Sequence, residues 1–167
     1  MSSSSITQLL YRSESLIGAD SALQMSDILV EARPNNARSD ITGILTAVGG
    51  RFVQIVEGPA EAIDDLLDRL VRDPRHRALT VLDRRTTETR QFGDWDMVSP
   101  RLAPTELALM TLLLENDKAS IDDYAAVLTS AVRHQEAVLE GRRPRHGFTT
   151  ITPDVRHQSS RPPKATG

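Results

Sequence analysis

Cysteine is absent from this chain of 167 residues. Its absence excludes disulfide scaffolds, thiolate metal sites, cysteine nucleophiles and photochemistry through a cysteinyl adduct. Aromatic residues make up only 4% of the sequence, so a function that needs a redox-active ring has few candidates. The 20 basic residues include only the lysines Lys118 and Lys164, and 23 acidic residues bring the net charge to −3. This balance provides no general positive field for nucleic acid or anionic lipid.

Targeting and membrane signals are also missing from the sequence. The first residues, MSSSS, lack the cationic start and apolar core of a signal peptide, and no apolar run approaches the roughly 18 residues that span a bilayer. The sequence therefore predicts a cytoplasmic protein without a membrane segment. Its length predicts one globular domain, or one domain with an appendage.

The first hundred residues alternate between strand-like and helix-like patterns. The predicted elements are a strand at 6–13, a helix from 23 that ends at Pro34, a hairpin of strands 41–48 and 51–56 around Gly49-Gly50, a helix at 62–71, and strands at 79–83 and 92–98. Proline cannot donate an amide hydrogen bond, which is why the first helix is predicted to end there and to leave Asn35 and Asn36 at its edge. The order β-α-β-β-α-β-β predicts a ferredoxin-like α+β sheet with two helices on one face.

The composition changes to helix formers after Pro100. An apolar stripe from Leu107 to Leu114 and a second one from Ser120 to Gly141 predict a helical hairpin that covers the other sheet face. Beyond it the chain is rich in Arg, Pro, His, Ser and Thr, which is typical of a flexible tail. The predicted organisation is a ligand-binding domain at 1–100, a helical cap or output element at 101–141 and a tail at 142–167.

One group of polar side chains lies on predicted core elements: Tyr11, Asn35, Asn36 and Gln54. A phenol and three carboxamides contain no strong acid, base or nucleophile at neutral pH, and they suit the polar edge of a heteroaromatic ligand better than hydrolysis. Each residue alone is explained more simply, by capping a helix end, packing in the core or bonding to the backbone. A small core rarely buries all four without a ligand to pair with them.

The remaining polar residues receive ordinary interpretations. The four histidines, including His76, are scattered without metal-ligand spacing, so no metal site is predicted. Glu57-Gly58-Pro59 is interpreted as a turn before a helix. Arg69 and Asp73 lie one turn apart, which favours a surface ion pair or contacts with a ligand held between the two helices.

Five motifs occur in a fixed order along residues 6–98. They are LLYRS at 9–13, NNARSDITG at 35–43, GRFVQIVEG at 50–58, DRLVRDPRH at 68–76 and RQFGDWDM at 90–97. With these motifs the sequence resembles the BLUF family, the flavin-binding modules that sense blue light.

The resemblance implies roles for individual residues. Tyr11 stands at the position of the family's photoactive tyrosine, and Gln54 at that of the glutamine between this tyrosine and the flavin. Asn36 matches the amide that holds the C4 carbonyl and N3 edge of the ring. Asn35, Arg69 and Asp73 match further flavin-binding positions. Trp95 and Met97 match signalling residues of the last strand, which have been assigned alternately to the place beside the glutamine.

The resemblance predicts a blue-light photoreceptor, without enzyme activity, that binds FAD non-covalently. Light-driven rearrangement of the Tyr-Gln-flavin hydrogen bonds would signal to a separate, unidentified partner protein, and the C-terminal helices would form a homo-oligomer. An alternative is a light-independent regulatory module that binds another small molecule on a ferredoxin-like sheet. A third class, an acylphosphatase-like enzyme, would need an anion-binding loop after the first strand, which SESLIGAD at 13–20 does not resemble.

Overall fold

Four strands form one antiparallel sheet in the order β2-β3-β1-β4. The structure is a computed structural model that describes residues 5–18 and 21–142. The strands are β1 (Ile6–Ser15), β2 (Thr42–Val48), β3 (Arg51–Gly58) and β4 (His76–Thr87), and the helices are α1 (Ala22–Arg38), α2 (Ala60–Val71), α3 (Pro104–Leu114) and α4 (Ile121–Arg142).

Helices cover both faces of this sheet. Leu9 and Val56 of the sheet pack in one cluster with α1 and α2 residues, whereas Leu10 and Ile55 pack in a second cluster with residues of α3 and α4. Successive strand residues point to opposite faces, so each strand contributes to both clusters. The predicted ferredoxin-like α+β fold, with a helical hairpin on the second face, is confirmed.

The β2–β3 hairpin has the register that its sequence predicts. Gly49 and Gly50 both adopt positive φ angles, of 55° and 73°, as a two-residue turn between twisted strands requires. Phe52 packs in the α1/α2 cluster and Val53 in the α3/α4 cluster. Gln54 therefore lies on the face that α1 and α2 cover.

The predicted end of the first helix is wrong. α1 runs through Pro34 to Arg38, so Asn35 and Asn36 lie in its last turns rather than beyond it. Proline removes one hydrogen bond from a helix, but the turns that follow are well bonded here. The amide of Ile41 donates to the Asn36 carbonyl at 2.8 Å, and the side chain of Asn36 is buried. This packing offsets the missing bond.

The last predicted strand, at residues 92–98, is irregular and forms only an isolated parallel bridge between Val98 and Ile44. Backbone bonds nevertheless fix this 92–98 segment along the outer edge of β2. The amide of Gly43 donates to the Trp95 carbonyl at 3.1 Å, and the amide of Leu45 donates to the Val98 carbonyl at 2.9 Å. Turns within the sequence FGDWDM keep the segment from continuous pairing.

The helical hairpin begins and ends close to the predicted positions. Ser120 and Asp123 bond reciprocally at the start of α4, where the Ser120 amide donates to the Asp123 carboxylate at 2.8 Å. α4 passes the predicted stop at Gly141 and ends at Arg142. Residues 143–167 of the predicted tail lie outside the described residues. Within 5–18 and 21–142, no helix combines the length and apolar character needed to cross a membrane.

Candidate functional site

A cleft lies between the sheet, α1 and α2. Its empty space is about 830 Å³, which includes the solvent at its open mouth. The six predicted binding residues, Tyr11, Asn35, Asn36, Gln54, Arg69 and Asp73, all line it. Its apolar walls are formed by Ile28, Leu45, Phe52, Leu66 and Leu70.

A chain of side-chain contacts crosses the floor of the cleft. Tyr11 and Gln54 face each other across β1 and β3, and the Tyr11 hydroxyl donates to Gln54 Oε1. Gln54 Nε2 in turn points at Met97 Sδ, 3.3 Å away. All three side chains are at most 5% exposed. One amide therefore accepts from the phenol and donates to the thioether, and its orientation is fixed from both ends.

The phenol of Tyr11 stays protonated at neutral pH. Burial raises the pKa of Tyr11 well above its ordinary value, and the negative charge of Asp73 raises it further. Both effects disfavour phenolate because the charged form would lose its hydration and face a like charge. The hydroxyl proton of Tyr11 therefore stays on the phenol and lies in its hydrogen bond to Gln54 Oε1.

Met97, rather than Trp95, lies beside Gln54. Met97 is 2% exposed and packs in the α1/α2 cluster, and its carbonyl accepts from Arg33 Nε at 3.0 Å. Trp95 is half-buried against the α3/α4 cluster and stacks on Phe92, with ring centroids 5.9 Å apart. The 92–98 segment therefore presents its two signalling candidates to opposite faces of the sheet.

The two asparagines of α1 differ in their surroundings. The side chain of Asn35 is half-buried, and its Nδ2 donates to the Glu31 carbonyl at 3.2 Å. Asn36 is 3% exposed, lines the cleft, and forms no side-chain hydrogen bond within the part of the chain that the structure describes. A buried carboxamide with free donors and acceptors favours a polar ligand edge at this point.

Ion pairing at the mouth of the cleft differs from the sequence interpretation. Asp73 pairs with Arg75, at 2.5 Å, and not with Arg69, whose Nε donates to the Asp65 carbonyl at 3.4 Å. The hydrogen bonds from Arg75 hold the pKa of Asp73 below its usual range. Arg75 also reaches Glu31 of α1 at 2.7 Å. This pair bridges α1 to the connection between α2 and β4.

His76 is the cleft residue that sequence reasoning missed. Both of its ring nitrogens are buried without a hydrogen-bond partner in the described part of the chain, and its ring meets the Phe52 ring edge-on, with the centroids 6.2 Å apart. It is the last residue of the DRLVRDPRH motif and directly follows Arg75. Its place in that motif could have identified it as a site residue. Unpartnered buried polar atoms are rare without a ligand. With Asn36 and the apolar walls, they fit a planar heteroaromatic group with a polar edge, which describes a flavin.

Comparison with known proteins gives the family of this fold and cleft. The model of the BLUF family, described as sensors of blue light using FAD, matches residues 6–98. A photoactivated adenylate cyclase subunit beta from Euglena gracilis is 32% identical over 129 residues, which are 75% of this chain and 15% of that protein. This chain therefore spans a small part of that relative.

Two solved structures extend the comparison. The dark-state structure of BlrB, a BLUF protein, aligns with a TM-score of 0.61 at 30% identity and covers 79% of this chain and 98% of that one. The Klebsiella pneumoniae BlrP1 structure with FMN and cyclic diGMP aligns with a TM-score of 0.53 at 32% identity, over 65% of this chain and 30% of that one.

Proposed function

This chain belongs to the BLUF family, the sensors of blue light using FAD, and we propose that Tyr11, Gln54 and Met97 form its light-driven hydrogen-bond switch. The observation that carries the proposal is the arrangement of one buried amide between a phenol donor and a thioether acceptor. Asn36 and His76 would hold the polar part of the flavin, because both line the cleft and both buried ring nitrogens of His76 have no partner among the described residues.

The switch uses the proton that Tyr11 and Gln54 share. The chemistry that a flavin supplies when bound is absorption of blue light and reversible one-electron oxidation of a nearby phenol. On oxidation Tyr11 releases its proton to Gln54 Oε1, and on re-reduction the proton returns to the Tyr11 oxygen. Nothing is gained or lost overall. The lasting change is the orientation of the Gln54 amide, which alters the donor offered to Met97 and to the ligand.

The energy of this change is small, and the rest of the molecule has to respond to it. One rearranged neutral hydrogen bond is worth about 1 kcal/mol, which changes a two-state equilibrium by only about fivefold. The responding element must therefore be nearly balanced between two states. The 92–98 segment meets that requirement, because it is irregular and bound to β2 by few backbone bonds.

FAD is the proposed cofactor, and a separate protein is the proposed partner. The family description supports FAD, whereas one BLUF structure contains FMN. Denaturing the purified protein and identifying the released flavin by mass spectrometry decides between them. A signal passed to a partner is supported by the family description, which names sensors of blue light.

A homo-oligomer in the cytoplasm is also proposed, with α3 at its interface. Leu107, Leu109 and Leu112 are 43%, 45% and 62% exposed on this helix. Exposed apolar patches of this kind favour association. Light scattering from the purified, flavin-loaded protein measures the mass of the particle, and a monomer at micromolar concentration would refute this assignment.

The test of the proposed function is a dark and a light absorption spectrum of the flavin-loaded protein. We expect a small red shift of the blue absorption band on illumination, without covalent attachment, that reverses in the dark. A spectrum that does not change under blue light would refute the photoreceptor function of this chain.

A further inference from the structure

Glu57 is a buried carboxylate that the switch does not use. It is 0% exposed, although the sequence interpretation placed it in a turn. Its Oε2 accepts from Gln8 Nε2 and from the Gln91 amide, each at 2.9 Å. Its Oε1 accepts from the Phe92 amide at 2.5 Å and from the Thr42 hydroxyl at 3.2 Å. Two strands and the start of the 92–98 segment thus bind to one side chain.

Further hydrogen bonds connect these residues to α4 and form a closed path. Gln8 Oε1 accepts from Arg85 Nε at 2.7 Å. The Arg85 guanidinium holds both oxygens of Asp122, at 2.8 and 2.7 Å. Gln91 Nε2 returns to Asp122 Oδ1 at 3.2 Å. We name this closed path through Gln8, Glu57, Arg85, Gln91 and Asp122 the Glu57 ring.

The Glu57 ring is built from strong, directional contacts. Three of its members face one another in the sheet, because Gln8 pairs with Glu57 on β3 and with Arg85 on β4. Charged hydrogen bonds of this kind are roughly twice as strong as neutral ones, and a bidentate pair fixes geometry as well. The hydrogen bonds from Arg85 and Gln91 lower the pKa of Asp122 to about 2, so its carboxylate is charged at neutral pH.

We propose that Glu57 is a positioning residue and that the Glu57 ring transmits movement of the 92–98 segment to the first turn of α4. The inference rests on the proposed function, because Met97 reports the state of Gln54 to the same segment. Phe92 links the two ends: its amide is held by Glu57, and its ring stacks on Trp95. Displacement of Met97 therefore acts on a segment whose near end is anchored to the ring.

The ring meets α4 at Asp122, whose exposed carboxylate a surface substitution can remove. Asp122 is joined directly to the exposed side chain of Gln91 and indirectly to Glu57 through Arg85 and Gln8. Gln91→Ala removes the direct bond and leaves the longer path. Asp122→Ala removes both connections to α4. Neither residue touches Tyr11, Gln54 or Met97, so the absorption change should survive in both variants.

The experiment is hydrogen exchange with mass spectrometry on the flavin-loaded full chain, in the dark and under blue light. In the unaltered protein we expect light to change exchange both in residues 92–98 and at the start of α4. In both Gln91→Ala and Asp122→Ala the change at 92–98 should remain, whereas the change at α4 should be reduced in Gln91→Ala and lost in Asp122→Ala. Gln135→Ala is the matched control, because Gln135 binds the Arg101 amide at 2.9 Å outside the ring, and it should keep both changes.

The outcomes separate this inference from the proposed function. A normal red shift without a light-dependent change at α4 in the unaltered protein would overturn the inference alone. So would a change at α4 that persists at full size in Asp122→Ala, or that Gln135→Ala also abolishes. Absence of the red shift would instead overturn the proposed function.

Glu57→Gln tests the positioning role itself. It keeps the shape of the side chain but turns one acceptor oxygen into a donor that faces existing donors. We expect faster exchange in 92–98 in the dark, and a changed size or lifetime of the red shift. Glu57→Asp retains the carboxylate and should restore part of the difference. If the Gln variant folds with a photocycle and a dark exchange pattern equal to those of the unaltered protein, Glu57 does not position the segment.

Discussion

Replacement of Tyr11 by phenylalanine removes one oxygen atom from the buried contact chain. The Tyr11 hydroxyl is the donor to Gln54 Oε1, and both side chains are at most 5% exposed. The ring of Tyr11 can keep its packing against the α1/α2 cluster, since phenylalanine fills nearly the same volume. The substitution therefore isolates the hydrogen bond and the oxidisable phenol from the hydrophobic core.

The expected loss of stability follows from the acceptor left behind. A buried acceptor without a donor costs about 1–3 kcal/mol, and rotation of the Gln54 amide recovers part of this, so we expect a loss of about 1–2 kcal/mol. For a chain of this size, 1 kcal/mol lowers Tm by about 2–4 °C. The predicted fall in Tm is about 2–8 °C at neutral pH. Flavin should remain bound, because Asn36, His76 and the apolar walls are unchanged.

Two measurements check this prediction, and the chain offers a matched control. Thermal unfolding gives the change in Tm, and the light-minus-dark spectrum gives the photochemistry. Tyr124 is 1% exposed on the opposite sheet face, and within residues 5–18 and 21–142 its hydroxyl forms no hydrogen bond. Tyr124→Phe makes the same chemical change and should leave the red shift intact and Tm less affected.

Three results would contradict this reasoning. A normal red shift in Tyr11→Phe would show that this phenol is not the electron and proton donor. An unchanged Tm in Tyr11→Phe would show that the hydroxyl makes no net contribution to the free energy of unfolding. The hydrogen bond to Gln54 would then not stabilise the fold. Loss of the red shift in Tyr124→Phe would show that a substitution on one face of the sheet affects the photochemistry on the other face.

The remaining predictions concern other parts of the cleft and its edge. Gln54→Leu should keep flavin bound and abolish the red shift, and a normal shift in its spectrum would rule out the amide as the switch. Trp95→Ala should keep the red shift, since Trp95 packs on the other face, but weaken light-dependent binding of the partner in a pull-down; if neither changes, signalling through the 92–98 segment is wrong. Asp73→Asn tests the ion pair with Arg75, whose hydrogen bonds lower the pKa of Asp73. Because the pKa of Asp73 is lower in the folded state, the pair stabilises the fold at any pH above the unfolded-state pKa of about 4. This stabilisation is lost as the pH falls through the lowered folded-state pKa. The difference in unfolding free energy between the two proteins should therefore be constant from pH 8 to 5 and shrink below pH 4, and a difference that grows on acidification would contradict it.

Local patterns were enough to predict the strands that carry Tyr11 and Gln54. The alternation in GRFVQIVEG fixes which residues share a face, and the two glycines fix the turn, so the position of Gln54 among apolar neighbours follows from period and turn chemistry alone. The structure agrees, with Phe52 and Val53 on opposite faces. The roles assigned to the site residues remain predictions.

The errors occur where distant contacts decide. Pro34 is a strong local signal for a helix end, but packing of Asn36 and the bonds of the following turn carry α1 past it. Glu57 looks like part of a turn in sequence, since its donors come from residues 34 or more positions away or from the neighbouring strands. The choice between Met97 and Trp95 depends on how the 92–98 segment crosses the sheet edge, which no periodicity describes.

Pro34 also restricts the backbone of the helix that forms one wall of the cleft. Proline restricts its own φ and the backbone of the preceding residue, here Arg33, which reaches the Met97 carbonyl at 3.0 Å. Such a restriction narrows the unfolded ensemble, so less conformational freedom remains to be lost. The helical hydrogen bond that Pro34 cannot form is missing only in the folded chain, so its loss does not change the unfolded ensemble. The wall that carries Asn36 therefore loses less conformational entropy when the chain folds.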